Sequence, residues 1–399
     1  MTHMRNWKTR SSGVAATIGA ACALVLCTHV ADAATPEKAK SMFDAIAGVP
    51  PSADQLAAMV AAPDDVQAAL IATEDPAFYS VTLKNFVTPW TNRDMTVFAP
   101  LNDYTATVIG MVRDNVPFNT ALSADLLYVV EANGLPAVSA TDNNHYAQAE
   151  TRNINLKEAL RPTTQSQVYG IPAEATAGLM TTRAASAAFF IDGTNRAMFR
   201  FTMVNHMCKD LEQLQDITRA PDRIRQDVSR SPGGDSRLFL NGCIGCHSGM
   251  DPFAQAFAYY DFDETLGTDL PEGEQRGRLV YTPGVVNPKY FINADNFKPG
   301  YVTPDDSWEN RWRAGQNAPV LNFSPDLPGR GNGAKSMGEE LANSGQFAQC
   351  QVEKVFKAVC FRAPSTAADF ARVQSITGNF VTQGYRLKNV FAETAAYCK

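Results

Sequence analysis

Apolar residues recur at helical spacing over most of this chain. From Pro36 to Phe78 the sequence is Ala-rich and helix-prone. It breaks at Pro50-Pro51, after which Ser52 is placed to cap a new helix. Asn102 to Arg113 reads as a helix, and Asn119 to Ala132 is expected to contain another. Ala132 to Thr151 is polar and reads as loop, whereas Thr176 to Phe190 is rich in small residues and suits a closely packed helix. The clearest helix runs from Thr194 to Leu214. Thr194 or Asn195 caps it, and Phe199, Met203, His206, Met207 and Leu211 fall along one face. Further helix is expected from Ser336 to Phe361 and from Ala367 to Tyr397.

Between these stretches, Ser231-Pro232-Gly233-Gly234-Asp235 breaks the chain. Gly267 to Gly333 is dense in Pro, Gly, Asn and Asp and predicts ordered irregular structure, with a short strand at Arg278 to Thr282. No period of twenty to fifty residues repeats, so a solenoid is not indicated. The fold class expected is mainly α: a multi-helix protein with a long, irregular, loop-rich insertion. Its regions are 1–33, 34–150 (N-terminal, helical), 151–270 (helical, with a cysteine motif), 271–335 (the insertion) and 336–399 (C-terminal, helical).

Residues 1–33 read as a secretory signal peptide. Arg5, Lys8 and Arg10 form a positive start, Gly13 to Val30 carries no charge, and Ala31-Asp32-Ala33 offers small residues for cleavage after Ala33. The apolar run is long enough to serve alternatively as an uncleaved anchor. Cys27 raises lipidation, although Leu26 is large for that position. With 45% hydrophobic and 19% charged residues the composition is globular. The formal net charge of −6 comes with no basic run, which argues against a nucleic-acid partner. After signal cleavage no membrane span is expected, and localisation is expected to be periplasmic.

Cys243-Ile244-Gly245-Cys246-His247 is C-x-x-C-H. Two thiols at this spacing can add to the two vinyl groups of a haem, and the adjacent imidazole can then ligate its iron from the same side. With 8 Cys and 5 His in 399 residues, chance would produce such a pentapeptide about 0.002 times. A zinc site would need a second clustered pair of ligands, and a thioredoxin-type dithiol would need a βαβ setting; neither is readable. The motif therefore implies one covalent haem c, on Cys243 and Cys246, with His247 as the proximal iron ligand. Cys208, Cys350, Cys360 and Cys398 form an even set, for which one or two disulfides are the default in an oxidising compartment. Cys350 and Cys360 fall ten residues apart on one expected helix, about 15 Å apart, too far to bridge each other. The choice among other pairings stays open.

Asn241 to Asp263 reads NGCIGCHSGMDPFAQAFAYYDFD. It resembles the haem segment of the planctomycete-type cytochrome c domain proteins, roughly C-x-x-C-H-x-x-[MI]-D-P-x-x-x-A-x-x-x-F-D. Cys243, Cys246, His247, Met250, Asp251, Pro252, Ala256 and Asp261 match, and Tyr260 stands in place of Phe. Ile46 to Pro51 with Ser52-Ala53, Val116 to Val129, Ala177 to Arg200, Phe347 to Cys350 and Gly384-Tyr385 resemble further stretches of that family. The Gly267 to Gly333 insertion has no counterpart in it. The resemblance implies an exported haem protein.

The distal side of the iron decides between electron transfer and chemistry at the metal. Met250 is only three residues from His247 and cannot reach the opposite face. The candidates are Met337, after a Gly-rich segment, and His206, flanked by Met203 and Met207; His145 sits in the polar loop and is a poor candidate. Trp308, Trp312, Arg311 and Arg313 could hydrogen-bond haem propionates. Three functions follow. The first is periplasmic electron transfer with a redox partner protein, for instance as the electron acceptor of a dehydrogenase. The second is a haem enzyme with an open distal side, peroxidase- or oxidase-like. The third is a binding module in which haem is structural.

Overall fold

The computed structural model describes residues 34–191, 193–265 and 276–399. The expected signal segment and the start of the insertion at 271–275 lie outside the described residues. The protein is mainly α-helical.

Three helices open the described residues: α1 (Pro36–Ala47), α2 (Ala53–Val60) and α3 (Asp65–Ala72). Ser52 forms a reciprocal capping box with Gln55 at the start of α2. Helix α4 (Asp103–Arg113) is capped by Asn102, whose side chain accepts from Thr105 N at 3.0 Å. There follow α5 (Asn144–Thr151), α6 (Arg183–Phe189), α7 (Arg196–Met207), α8 (Ser236–Gly242) and α9 (Ile244–Ala254). The chain closes with α10 (Gly333–Ala342), α11 (Gly345–Cys360), α12 (Ala367–Thr382) and α13 (Leu387–Cys398). Helix α13 packs on α3 and α11, so the two ends of the described chain share one apolar core, with buried side chains drawn from Ala34 to Ala395. Among the described residues no helix is long and apolar enough to cross a membrane.

Among the described residues three antiparallel two-stranded ribbons decorate this core: β1 (Leu127–Val130) with β2 (Leu160–Thr163), β3 (Tyr260–Asp263) with β4 (Arg278–Tyr281), and β5 (Ser307–Glu309) with β6 (Arg330–Asn332). β4 falls where the sequence predicts a strand. The helix expected within Asn119 to Ala132 does not form: a single 3₁₀ turn, Phe118–Thr120, leads into β1. The run Leu127-Tyr128-Val129-Val130 suits a pleated surface, and the ribbon lies against α4 where Gly110 leaves room. A Cβ at Gly110 would come within 2.2 Å of the Tyr128 ring.

Other boundaries also move. The helix expected over Thr194 to Leu214 ends at Met207, because Cys208 takes a left-handed conformation (φ 50°) and enters a disulfide. A 3₁₀ turn, Leu211–Leu214, follows under an Asp210 capping box. Asn195 holds the cap position of α7, but its amide donates instead to the carbonyls of Phe257 and Tyr260, both at 2.9 Å. The stretch from Ser336 to Phe361 is two helices, α10 and α11, divided where Ser344 caps α11. The last stretch divides at Gly384-Tyr385, both at positive φ. His145 is not in a loop: it is buried on α5, where Nε2 accepts from Val130 N at 3.0 Å and Nδ1 lies 2.8 Å from the Pro136 carbonyl.

Two disulfides tie the core. Cys208–Cys350 joins the end of α7 to α11, and Cys360–Cys398 joins the ends of α11 and α13, with Cα separations of 5.3 and 5.5 Å. Cys350 and Cys360 share α11 and do not pair with each other, as their spacing on one helix requires.

Candidate functional site

Asp235 caps α8 by accepting from Arg237 N. At Cys243 the chain bends (φ −115°, ψ −39°) and restarts as α9, with His247 N bonding back to the Cys243 carbonyl at 3.1 Å. At 3.6 residues per turn, Cys243, His247 and Asp251 form one stripe, flanked by Cys246 and Met250, while Gly245 and Gly249 lie on the opposite side. The glycine side is seated tightly. Asp216 N bonds the Gly245 carbonyl at 3.0 Å, and a Cβ at Gly249 would stand 2.2 Å from Trp312 Nε1. The two glycines thus bring the helix down on its support and turn the thiols and the imidazole away from it.

Cys243 and Cys246 are free and half-buried, whereas the other four described cysteines are in disulfides. Cys243 and Ile244 rest on a small apolar cluster of Ile224, Val228 and Phe239, separate from the main core. The Cys246 thiol lies 3.5 Å from the Leu211 carbonyl. Burial raises its pKa, helped by the nearby Glu212 and Asp210 carboxylates. On α8, just before the motif, Leu238 and Leu240 are 56% and 54% exposed.

The His247 side chain is 19% exposed, and its Nδ1 lies 3.1 Å from both oxygens of Asp251. Those oxygens also receive Arg196 Nε at 2.9 Å and Nη2 at 3.2 Å. Arg196 in turn holds Asp227 by two bonds, at 2.6 and 3.0 Å. Arg225, fully buried over the Tyr290 ring, pairs with Asp227 at 3.4 Å. Burial alone would raise the Asp251 pKa, but Arg196, His247 and Arg225 hold its carboxyl well below the usual range. An ionised carboxylate only accepts, so Nδ1 of His247 must carry its proton. The lone pair of neutral His247 is then on Nε2, to which no protein group among the described residues is bonded.

These residues fit a covalently held haem. Two unpaired thiols and an imidazole with an outward lone pair stand at one helix end, and the carboxylate behind the imidazole is the partner a metal-ligating histidine ordinarily has. Among the described residues no three His, Cys, Asp or Glu side chains converge as ion ligands, so the motif lacks the further donors of a tetrahedral site.

The structure places the other candidates elsewhere. Met337 is fully buried on α10, and Met250, Met203 and Met207 are buried in the same main core. His206 Nε2 is 2.7 Å from the Tyr104 hydroxyl, with Trp90 and Phe347 packed around the ring. Burial, and secondarily Lys354, push its pKa well down. The hydrogen bond and ring contacts of His206 are with Tyr104, Trp90 and Phe347, and Met337 is enclosed in the main core. Trp312 supports the glycine side of α9, Trp308 Nε1 donates to Ser336 Oγ at 2.8 Å, Arg313 is bound to Glu340, and Arg311 to Asp222 and Glu309. The sequence reading missed Arg196, Arg225 and Asp227. The i,i+4 spacing of His247 and Asp251 was the one signal that could have flagged the network. No protein-family model, curated protein or solved structure matches this chain.

Proposed function

We propose that this chain is an exported monohaem c-type cytochrome of the planctomycete-type domain family. It carries electrons in the periplasm to or from a redox partner protein such as a dehydrogenase. One haem c would be held by Cys243 and Cys246, with His247 as proximal ligand. The observation that carries this reading is the free thiol pair beside an imidazole whose Nδ1 is fixed by buried Asp251 and whose Nε2 is unclaimed. Two disulfides and the signal-like 1–33 segment support export.

Haem supplies a one-electron couple at its iron. The chain's own residues set the conditions. Asp251 fixes the tautomer and orientation of His247 and makes Nε2 a more basic donor, which favours the ferric state and a lower potential. Arg196 and Asp227 lock Asp251 in place. The exposed Leu238 and Leu240 beside the motif would offer an attached macrocycle apolar cover from water.

The purified protein should keep its colour through acid-acetone extraction and give about one haem per chain in a pyridine haemochrome assay. Cys243→Ser and Cys246→Ser should each severely impair attachment. Extractable colour, or none, overturns the reading. A second reading is supported by the burial of Met337 and by the Tyr104 bond to His206: a haem enzyme with an open distal side. A six-coordinate, low-spin ferric form favours the carrier. A high-spin form whose reduced state promptly binds carbon monoxide favours the enzyme.

A further inference from the structure

A cleft of about 670 Å³ opens between the end of α7, the C-terminal half of α11 and the segment around Trp90. Phe86, Trp90, Met95, Val204 and Phe361 give it apolar walls. Its size is that of a small-molecule site. Three lysines, Lys209, Lys354 and Lys357, line the same space in a chain of net negative charge.

Lys354 is the unusual member. Its Nζ donates to the Asn205 carbonyl at 2.6 Å and stands 3.0 Å from the centre of the Trp90 ring. Those contacts use a dipole and a quadrupole, and no carboxylate among the described residues balances the charge. Burial alone pushes the Lys354 pKa well down. Asp210, the carboxylate that lines the cleft, is already held by Arg200 at 2.8 and 2.6 Å. A cation taken out of water without a counter-ion is costly unless an anion joins it. Apolar walls around it select an anion whose body is itself apolar.

We propose that this cleft binds an apolar carboxylate, its head group paired with Lys354 and its body laid along Phe86, Met95 and Val204. Asp210 and Gln213 line the cleft, and Leu211 between them receives the Cys246 thiol. The segment that lines the cleft thus also touches the C-x-x-C-H helix, although the site does not depend on the haem reading.

Calorimetric titration of the full protein with decanoate, 1-decanol and decylammonium tests this. Decanoate should bind at a single site, and the alcohol and the ammonium should bind at least about tenfold more weakly. Lys354→Met keeps the aliphatic stem, removes the charge, and should weaken decanoate by about tenfold or more while leaving decanol unchanged. Lys354→Arg should retain most of the affinity, which separates loss of charge from loss of fold. Equal binding of the three probes, unchanged decanoate affinity in Lys354→Met, or no saturable decanoate binding would each overturn the proposal.

Discussion

The main core draws on side chains from Ala34 to Ala395 and is fastened by Cys208–Cys350 and Cys360–Cys398, whereas the cluster beneath Cys243 consists of Ile224, Val228 and Phe239, with exposed Leu238 and Leu240 beside it. The first region completes itself: apolar faces of helices from both ends of the chain close on one another. The second leaves the apolar side chains of Leu238 and Leu240 exposed and two thiols unpaired and half-buried. It is held to the protein by the glycine side of α9, by Met250, Phe253 and Ala254 of the same helix, which enter the main core, and by the Arg196 network. The difference teaches that order at the C-x-x-C-H helix comes from a few polar and close-packed contacts with the core, and those contacts are where it can be broken.

The largest effect should come from the core's own fastenings. Replacing Cys208 and Cys350 by Ala opens a span of 142 residues and should cost about 5 kcal/mol by loop entropy. Replacing Cys360 and Cys398 opens 38 residues and should cost about 4 kcal/mol. Urea titration followed by far-ultraviolet circular dichroism measures both. An unchanged midpoint would mean the core does not rely on them.

Next is the link between the regions. Arg196→Ala strips a partner from two buried carboxylates, Asp251 and Asp227, and should cost about 3–5 kcal/mol. The pH dependence has a definite sign. Because the folded Asp251 pKa is depressed, its stabilisation is complete above the unfolded carboxyl value, about 3.9, and is lost as pH falls below that toward the folded value. The wild-type urea midpoint should therefore hold down to about pH 4 and fall from there to about pH 2, and that of Arg196→Ala should fall less. Parallel curves would show that Arg196 does not hold Asp251.

The smallest effect expected is local. Gly249→Ala pushes a methyl group against the Trp312 ring and should cost about 1–3 kcal/mol, shifting the motif helix without unfolding the core. A neutral result would show that α9 is free to lift.

Much of the local structure was legible in the chain. Asn102 and Ser52 sit where helices start, and ten residues on α11 keep Cys350 from Cys360; the break at Gly384-Tyr385 was not read, the expected helix running through it to Tyr397. The misreadings share a cause. Leu127 to Val130 took a strand because Leu160 to Thr163 pairs with it and Gly110 makes room, neither visible in a short window. Cys208 ended α7 through a partner 142 residues away. His145 looked solvent-bound and is buried because β1 offers it a backbone N–H.

By itself the sequence determined the mainly helical class, the Ser52 cap, and the placing of Cys243, Cys246 and His247 on one helical turn, because each is set by residues within a turn or two of one another. Only the tertiary structure decided which cysteines pair, that His206 and Met337 belong to the core, that Arg196 reaches Asp251 across 55 residues, and that Lys354 faces a cleft without a counter-ion. Those outcomes depend on which helix faces meet, and that is fixed by burial of the whole apolar surface together.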